Sequence, residues 1–226
     1  MIIFLRSIIF SFLFYIWTFL VCIITLPVLF FHRRIDLKVW FYWIKITNKI
    51  LKNIVKINYG IKGSENNTKK NVIYACQHQS AWDTIIIPYL IGDCVIFHKR
   101  SLLFIPLFGW HLFKLGMVII TRNKGANNLR KIINKTKEAI YKNRSILIFP
   151  HGTRTLPNSK NKIQSGVVIL YKHLNINVVP IKLNSGKYWG RNKFLKYPGK
   201  ITVNFLKPIK PGLNPGEFRK KLEKIL

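Results

Sequence analysis

An uncharged apolar run near the amino terminus limits the environments in which this chain can fold. Residues 7–31, SIIFSFLFYIWTFLVCIITLPVLFF, contain no Asp, Glu, Lys or Arg in 25 positions. A helix that crosses the hydrocarbon core of a bilayer needs about 20 apolar residues. The run therefore predicts a membrane segment. Pro27, near its end, can break a helix and leaves open whether the segment spans the bilayer or re-enters it.

A secretory signal peptide is the competing interpretation of this run. The apolar part of a signal peptide is usually about 7–15 residues long and ends at a cleavage site of small residues. Here the run is longer and ends in PVLFFHRR, without such a site, so we expect the segment to be retained. Arg6 precedes it, and a basic cluster follows: His32, Arg33, Arg34 and Lys38. The positive-inside rule then predicts that the rest of the chain lies on the cytoplasmic face of a membrane, which we expect to be a bacterial inner membrane.

The next segment, residues 39–59, has the pattern of a basic amphipathic helix. Lysines recur at spacings of four, three and four residues, which places them on one helix face: Lys45, Lys49, Lys52 and Lys56. With Trp40 and Trp43 as anchors, such a helix can lie at the lipid headgroup boundary. An ordinary surface helix over a soluble core is the alternative. We favour the lipid boundary and divide the chain into a membrane segment with this helix, 1–60, and a second domain, 61–226.

From residue 71 onward, short apolar runs alternate with amphipathic stretches. Five runs have the length and composition of strands: 71–76, 94–99, 116–122, 145–150 and 177–183. Four stretches have a helical pattern: 83–90, which we expect to end near Pro88, then 127–142, 165–174 and 214–226. Residues 199–209 alternate like an edge or antiparallel strand. Strand–helix alternation predicts an α/β fold with a mixed, largely parallel sheet, in which functional sites gather where strands end.

The charge of the chain predicts an acidic partner. Its 38 Lys and Arg stand against 7 Asp and Glu, for a formal net charge of +31. Nucleic acid, anionic lipid or an acidic protein would be attracted, although an AT-rich genome would also enrich Ile, Lys and Asn. There is no zinc-finger spacing and no RNP-like aromatic motif, so we expect no nucleic-acid partner. The cysteines, Cys22, Cys76 and Cys94, form no CxxC pair, so we expect a reduced compartment and no metal.

The most informative polar pair is His78 and Asp83 in QHQSAWDT, which follows the apolar run VIYAC. On a continuous helix the two would lie about 140° apart, so they can meet only where a strand turns into a helix. There the aspartate can accept a hydrogen bond from one ring nitrogen of the histidine, which leaves the other free to take a proton. A helix N-cap is the alternative role for Asp83, and the two roles are compatible.

Three further segments place basic side chains at predicted strand ends. In FPHGTRT, Gly152 permits a sharp turn, and Thr153 and Arg154 can hold phosphate oxygens. A plain β-turn with a solvated arginine is the alternative. Arg122 ends GMVIITR and is either a further phosphate ligand or a solvated charge. Lys99 ends CVIFHK, and the apolar stretch that follows it is either core, which we favour, or the wall of a groove for an acyl chain.

Taken in order, these segments resemble the motifs of the 1-acyl-sn-glycerol-3-phosphate acyltransferase family. The family's histidine, four residues and aspartate are matched by His78 and Asp83, and its glycine–apolar–arginine motif by Gly116 to Arg122. The family motif Phe-Pro-Glu-Gly-Thr-Arg is matched, except at its glutamate, by Phe149, Pro150, Gly152, Thr153 and Arg154. An apolar run with proline is matched by Val179, Pro180 and Ile181, and a lysine before Pro-x-x-Gly by Lys99. The resemblance covers roughly residues 60–210, and five ordered matches are more specific than any one.

Two positions depart from the family pattern. His151 stands where the family has a glutamate that is thought to help place the glycerol-phosphate acceptor, and Thr121 stands where an aspartate precedes the arginine. A histidine keeps a hydrogen-bonding group but removes or reverses the charge. The resemblance therefore implies the type of reaction more firmly than it implies which molecule accepts the acyl group.

The resemblance implies the glycerolipid acyltransferase fold, preceded by a two-helix membrane-docking segment. It implies transfer of a fatty acyl group from an acyl thioester to the sn-2 hydroxyl of 1-acyl-sn-glycerol 3-phosphate, giving phosphatidic acid. His78 would be the general base and Asp83 its orienting partner, and the substrate-binding residues would be Lys99, Arg122, His151, Gly152, Thr153 and Arg154. No cofactor is implied.

The expected partners are the phospholipid bilayer, lysophosphatidic acid and, as acyl donor, acyl carrier protein or acyl-coenzyme A. Two alternatives stay open. The acceptor could be another lysolipid, such as a lyso-ornithine lipid. In a different class, the chain could be a membrane-anchored nucleic-acid-binding protein.

Overall fold

A computed structural model of the protein describes residues 1–120, 126–157, 159 and 161–226, with the backbone alone at 120 and 126–128. The α-helices are α1 (Ile2–Ile24), α2 (Arg33–Ile50), α3 (Ala81–Ile91), α4 (Phe108–Lys114), α5 (Ala126–Tyr141), α6 (Ser165–Leu174) and α7 (Pro215–Ile225). The strands are β1 (Ile57–Lys62), β2 (Ile73–Cys76), β3 (Cys94–Lys99), β4 (Val118–Ile120), β5 (Ser145–Ile148), β6 (Val178–Leu183) and β7 (Gly199–Phe205).

The strands form one sheet in the order β1-β7-β6-β2-β5-β3-β4. The neighbouring strands are parallel except β6 and β7, which are antiparallel. Buried apolar side chains cover both faces of the sheet, as a largely parallel sheet requires. The mixed, largely parallel α/β fold predicted from the sequence is confirmed. Residues 121 and 122, at the end of the predicted strand 116–122, lie outside the described residues.

One strand of the sheet was not predicted. The helix expected over 39–59 is wrong in its last four residues, because α2 and one π-helical turn end at Val55 and β1 begins at Ile57. Lys56 lies between them with φ of 63°, a left-handed conformation that ends the helix. β1 pairs with β7 along its length, so the domain boundary placed after residue 60 falls inside a strand of the sheet.

Two other elements differ from expectation. The helix expected to end near Pro88 continues to Ile91 and ends at Gly92, which has φ of 85° and donates its N–H to the carbonyl of Pro88. A proline removes one backbone donor but need not end a helix that is held by packing, and α3 packs against α2. The strand expected over 199–209 is antiparallel to β6, as predicted, but it lies between β6 and β1 and is not an edge.

The amphipathic helix α2 lies between α1 and the sheet domain. Its lysine face is exposed, as the pattern predicted. Trp40 and Trp43, expected at the lipid headgroups, are instead only 7% and 5% exposed. Trp43 packs against Phe14 of α1 and Trp40 against Phe108 of α4, with ring centroids 5.9 and 5.3 Å apart. The large aromatic surface is buried between the helices, so these tryptophans are core residues rather than lipid anchors.

The apolar helix α1 is long and apolar enough to cross a membrane, although only 22% of its most apolar stretch is buried against the rest of the protein. Contacts hold it to the domain near both ends. Near the start, Ser7 Oγ accepts a hydrogen bond from the backbone N–H of Lys196 at 3.0 Å. Just beyond its last turn, Thr25 Oγ1 lies 3.3 Å from Nε2 of His111. The outward face of α1 is apolar and exposed.

Candidate active site

The candidate site lies at the carboxyl ends of three adjacent strands, β6, β2 and β5. His78 follows β2, the segment Phe149–Arg154 follows β5, and Ser185 follows β6. Residues at the carboxyl ends of neighbouring parallel strands share one edge of the sheet. The topology therefore gathers residues that are up to 107 positions apart in the sequence, as in the pair Gln79 and Gly186.

The pair His78 and Asp83 is formed in the structure. Nδ1 of His78 lies 3.1 Å from Oδ2 of Asp83, within hydrogen-bond distance. The Asp83 side chain is fully buried, and that of His78 is 12% exposed. Because the carboxylate accepts from Nδ1–H, the neutral ring presents Nε2 as its unprotonated nitrogen. Among the residues that the structure describes, none makes a hydrogen bond to Nε2.

The turn into α3 fixes the position of the carboxylate. Ser80 is the N-cap of α3 and Asp83 is its third residue, and together they form a capping box. Oδ2 of Asp83 accepts the backbone N–H groups of Gln79 at 2.7 Å and Ser80 at 2.8 Å. Asp83 therefore holds the histidine, as predicted, whereas the N-cap role considered for it falls to Ser80, and Asp83 contributes to capping as the third helical residue. The same backbone bonds satisfy a charge that would be costly to bury alone.

Three residues far away in the sequence complete the support of this pair. Ser185 donates a hydrogen bond from Oγ to Oδ1 of Asp83 at 2.5 Å. The His78 ring stacks on Phe149, with centroids 4.2 Å apart and planes tilted by 25°. Thr155 donates its backbone N–H to the carbonyl of His78 at 2.7 Å. The orientation of the His78 ring is thus set by the Asp83 carboxylate at one edge and by the Phe149 ring beneath it.

Arg154 is the basic side chain that approaches this pair. It is half-buried, and burial lowers its pKa, while the charge of Asp83 raises it and that of Arg191 lowers it. The Arg191 side chain donates to the Arg154 carbonyl at 2.8 Å. A half-buried guanidinium close to a histidine that can take a proton is suited to hold a substrate anion.

The other residues predicted to bind substrate are less closely associated with His78 and Asp83. Gly152 adopts φ of 69°, the left-handed conformation that the turn after β5 requires. Thr153 is exposed on the same turn. Lys99 is exposed at the end of β3, and β5 separates β3 from β2. Arg122 lies outside the described residues.

His151 is directed into a neighbouring cavity of about 810 Å³. Gln77 and Gln79 also line this cavity, whereas His78, between them in the sequence, and Arg154 are not among its described lining residues. Burial lowers the pKa of His151, and the backbone of Asn161 and the charge of Glu223 oppose this shift. The structure thus brings His78, Asp83 and Arg154 together and turns His151 to the other side of the 77–79 segment.

Sequence reasoning missed Ser185 and the support from Gln79. Gln79 is 4% exposed and its side-chain carbonyl accepts the N–H of Gly186 at 3.1 Å. This bond ties the loop after β2 to the loop after β6. The sequence gives no local signal for Ser185, because its partner lies 102 positions earlier.

Comparison with known proteins agrees with the fold and places the chain in a family. Residues 58–184 match the model of the Acyltransferase family, so the chain belongs to the acyltransferase family. It is similar to the 1-acyl-sn-glycerol-3-phosphate acyltransferase of Pseudomonas aeruginosa, 31% identical over 161 residues that cover 71% of this chain and 63% of that protein. It is also 28% identical to the Saccharomyces cerevisiae protein of the same name, over 71% of this chain and 54% of that protein.

The chain therefore spans about half to two thirds of the length of these curated relatives. Among solved structures, it matches that of the 1-acyl-sn-glycerophosphate acyltransferase of Thermotoga maritima with a TM-score of 0.77. The match covers 98% of this chain and 94% of that one at 20% sequence identity, so it bears on the fold alone. It includes the two amino-terminal helices, because nearly the whole chain is superposed.

Proposed function

We propose that the protein transfers a fatty acyl group from an acyl thioester to the sn-2 hydroxyl of 1-acyl-sn-glycerol 3-phosphate, giving phosphatidic acid. The observation that carries this proposal is the His78–Asp83 pair at a strand end, with no described residue bonded to Nε2 of His78 and with Arg154 interacting electrostatically with Asp83. The names of the curated relatives support the acceptor and the reaction class.

In the proposed mechanism, the acceptor hydroxyl donates a hydrogen bond to Nε2 of His78. As the hydroxyl oxygen attacks the thioester carbonyl, its proton moves to Nε2, and the thiolate leaves when the tetrahedral intermediate collapses. Asp83 stabilises the imidazolium that forms and keeps the proton of Nδ1 in place. The hydroxyl attacks directly, so no acyl-enzyme is formed.

Arg154 would bind the phosphate of the acceptor and fix its hydroxyl near His78. The guanidinium can make two parallel hydrogen bonds to phosphate oxygens, and its half-buried position strengthens them. Lys99 and Arg122 are further candidates for phosphate contacts, and Gly152 and Thr153 shape the turn that presents Arg154. His151 is proposed to influence the acceptor from the adjoining cavity.

The acyl donor is proposed to be acyl carrier protein or acyl-coenzyme A. Both are acidic, and the net charge of +31 attracts either one. The reaction itself requires no cofactor beyond this thioester. The site geometry supports the acyl-transfer chemistry with either carrier.

The protein is proposed to work at the cytoplasmic face of a membrane, a bacterial inner membrane. α1 supports this proposal with an exposed apolar face, and α2 with an exposed lysine face. Because α1 contacts the domain near both of its ends, a helix crossing the bilayer would draw the charged domain in with it. We therefore favour α1 lying in one leaflet, along the membrane surface.

The test is acyl transfer by the purified full-length protein in detergent, with labelled acyl thioesters on both carriers. The acceptor panel contains lysophosphatidate, lysophospholipids with other headgroups and lyso-ornithine lipid. Preferred use of lysophosphatidate supports the proposal, and preferred use of another lysolipid replaces the acceptor but keeps the chemistry. Absence of transfer to every acceptor, in a folded protein, would reject the proposal.

A further inference from the structure

The segment between β3 and β4 exposes large apolar side chains that no described part of the protein covers. Phe104 and Phe113 are 72% and 77% exposed, and Trp110 and Ile105 are 55% and 44% exposed. From its sequence this stretch was expected to be core or the wall of an acyl groove. The core interpretation is wrong for these four residues, which we call the α4 patch. Exposed apolar clusters of this kind mark binding surfaces.

The α4 patch is held in a defined shape. Trp110 and Phe113 are three residues apart on one face of α4, whereas His111 and Leu112 on the opposite face are buried. Gly109, the second residue of α4, allows the helix to pack closely on the segment before it, since a Cβ there would lie 2.1 Å from the carbonyl oxygen of Leu103. The apolar side chains are therefore presented outward by a helix that is packed on its inner face.

The patch is continuous with the exposed face of α1. α4 packs on α2 and on the 3-10 turn Leu26–Phe30 that follows α1. Thr25 lies 3.3 Å from His111, which itself bonds Asp36 of α2 at 2.7 Å. The turn and the residue after it are also exposed and apolar, with Phe30 91% and Phe31 58% exposed.

The charges around the α4 patch favour one kind of partner. Residues 98–114 contain no Asp or Glu, and Lys99, Arg100 and Lys114 flank the apolar side chains. Phospholipid headgroups of an anionic membrane are the negative groups that lie next to an apolar layer, and aromatic side chains are well suited to that boundary. An acidic soluble protein would match the charges but would not extend over the apolar face of α1.

We propose that the α4 patch is a second membrane-contacting surface, which enters the same leaflet as α1 so that the carboxyl end of β3 faces the lipid headgroups. α1 and the patch would then hold the protein at two points and fix its tilt. One anchor alone leaves rotation about the helix axis free, whereas two points align the sheet edge with the plane in which lysolipids lie. This proposal concerns docking and does not depend on which acceptor is used.

The test uses a fluorophore that reports a lipid environment, attached at single introduced cysteines. The three native cysteines are buried, and the parent protein measures any background labelling. Phe113→Cys and Trp110→Cys probe the patch, Phe12→Cys probes the exposed face of α1, and Lys137→Cys on the exposed face of α5 is the control. Each labelled full-length protein is added to vesicles of phosphatidylethanolamine and phosphatidylglycerol, with and without lipids that carry a quencher in the acyl chain.

We expect the labels at 113 and 110 to shift to shorter wavelength and to lose emission with the quencher lipid, as the label at 12 does, while the label at 137 stays as in water. If 12 is quenched and 113 and 110 are not, the proposal is overturned. A label at 113 that is shielded but not quenched would mean that protein, such as a second copy, covers the patch, which also overturns it.

A second measurement separates docking from folding. The double variant Trp110→Ser/Phe113→Ser should keep the parental kcat/KM in detergent micelles and lose activity severalfold on vesicle-borne acceptor. Equal activity of variant and parent on vesicles would contradict a docking role. Failure of acyl transfer by the parent in micelles would instead count against the proposed function, so the two failures can be distinguished.

Discussion

Ser185 and Asp83 are joined by a 2.5 Å hydrogen bond from the serine hydroxyl to Oδ1 of the carboxylate, across 102 positions of sequence. The other oxygen, Oδ2, accepts two backbone N–H groups and faces Nδ1 of His78. The bond thus connects the loop after β6 to the loop after β2. A carboxylate held from both sides has little freedom to rotate, so the histidine ring that it orients is also held.

The first prediction concerns the proposed general base. His78→Ala should lower kcat/KM by about 10²–10⁴-fold, the usual value of general-base assistance. Asp83→Asn should also lower kcat, because an amide can donate to Nδ1 and favour the wrong tautomer. Acyl transfer at saturating donor measures both effects. His173→Ala, an exposed histidine on α6, is the control for loss of an imidazole, and a folded His78→Ala protein with parental activity would remove the dyad from the mechanism.

The second prediction concerns Ser185 as a positioning residue. Ser185→Ala removes a hydrogen bond to a buried carboxylate, which typically contributes about 1.5–3 kcal/mol. We expect a lower thermal midpoint and a lower kcat with little change in the acceptor KM, and Ser185→Thr should recover most of both. A purely structural role would change the thermal midpoint and leave kcat per folded molecule unaltered. The measurement is therefore kcat per folded molecule beside the thermal midpoint, for the parent, Ser185→Ala and Ser185→Thr.

The third prediction concerns the phosphate. Arg154→Ala should raise the acceptor KM by about ten- to hundredfold, because each charge-assisted contact contributes about 1.5–3 kcal/mol and 1.4 kcal/mol is a factor of ten. The donor KM should change far less. Arg191→Ala, which removes a bond to the Arg154 carbonyl and a neighbouring charge but leaves the Arg154 guanidinium in place, is the matched control for loss of a nearby arginine. An unchanged acceptor KM in Arg154→Ala would remove its phosphate role.

The sequence was sufficient for those parts of the site that are local. His78 and Asp83 were predicted to meet because a capping box at a strand-to-helix turn needs only the residues within it. Ser185 could not be predicted, since its contact depends on β6 lying beside β2. Trp40 and Trp43 were assigned to lipid because their spacing alone does not tell whether the surface opposite is a bilayer or α1 and α4. β1 was missed because the helical pattern of lysines continues to Lys56, directly before its first residue.

The fourth prediction concerns acid stability. Burial lowers the pKa of His98 from 6.5 to about 4, and its Nε2 is buried without a described partner. Folding therefore favours the neutral ring. The stability that this contributes is present above the unfolded pKa and is lost as pH falls from 6.5 toward 4, since the unfolded chain then binds the proton more readily. At about 1.4 kcal/mol per pKa unit, the loss is at most about 3.5 kcal/mol.

His98→Gln removes the titrating group at this position. Thermal midpoints in detergent, measured from pH 7 to pH 4, should fall less steeply for His98→Gln than for the parent. His173→Gln, at an exposed position, should follow the parent curve. Parallel curves for His98→Gln and the parent would show that His98 does not account for acid destabilisation.

The fifth prediction concerns the histidine that replaces the family's glutamate. His151→Glu places a second carboxylate in the cavity that Glu223 also lines. Burial and the charge of Glu223, which acts on His151, should raise the pKa of the introduced carboxyl above its unfolded value, and Lys162, Lys182 and Lys224, which also line the cavity, oppose this shift. The resulting destabilisation should be absent well below pH 4 and grow as pH rises through the unfolded and then the folded pKa. Thermal midpoints across this range check the direction, and Glu223→Gln in the same protein should relieve the loss.

The same variant tests where the acceptor lies. His151 is turned away from the His78 side of the 77–79 segment, so we expect His151→Glu to change the ranking of kcat/KM across lysolipids less than Arg154→Ala changes the acceptor KM. His151→Gln, which keeps a hydrogen-bonding side chain without a charge, is the matched control. A shift of preference toward lysophosphatidate in folded His151→Glu, but not in His151→Gln, would instead mean that the charge at position 151 reaches the acceptor. In that case the cavity would be part of the acceptor site, and His151 would mark a different natural acceptor.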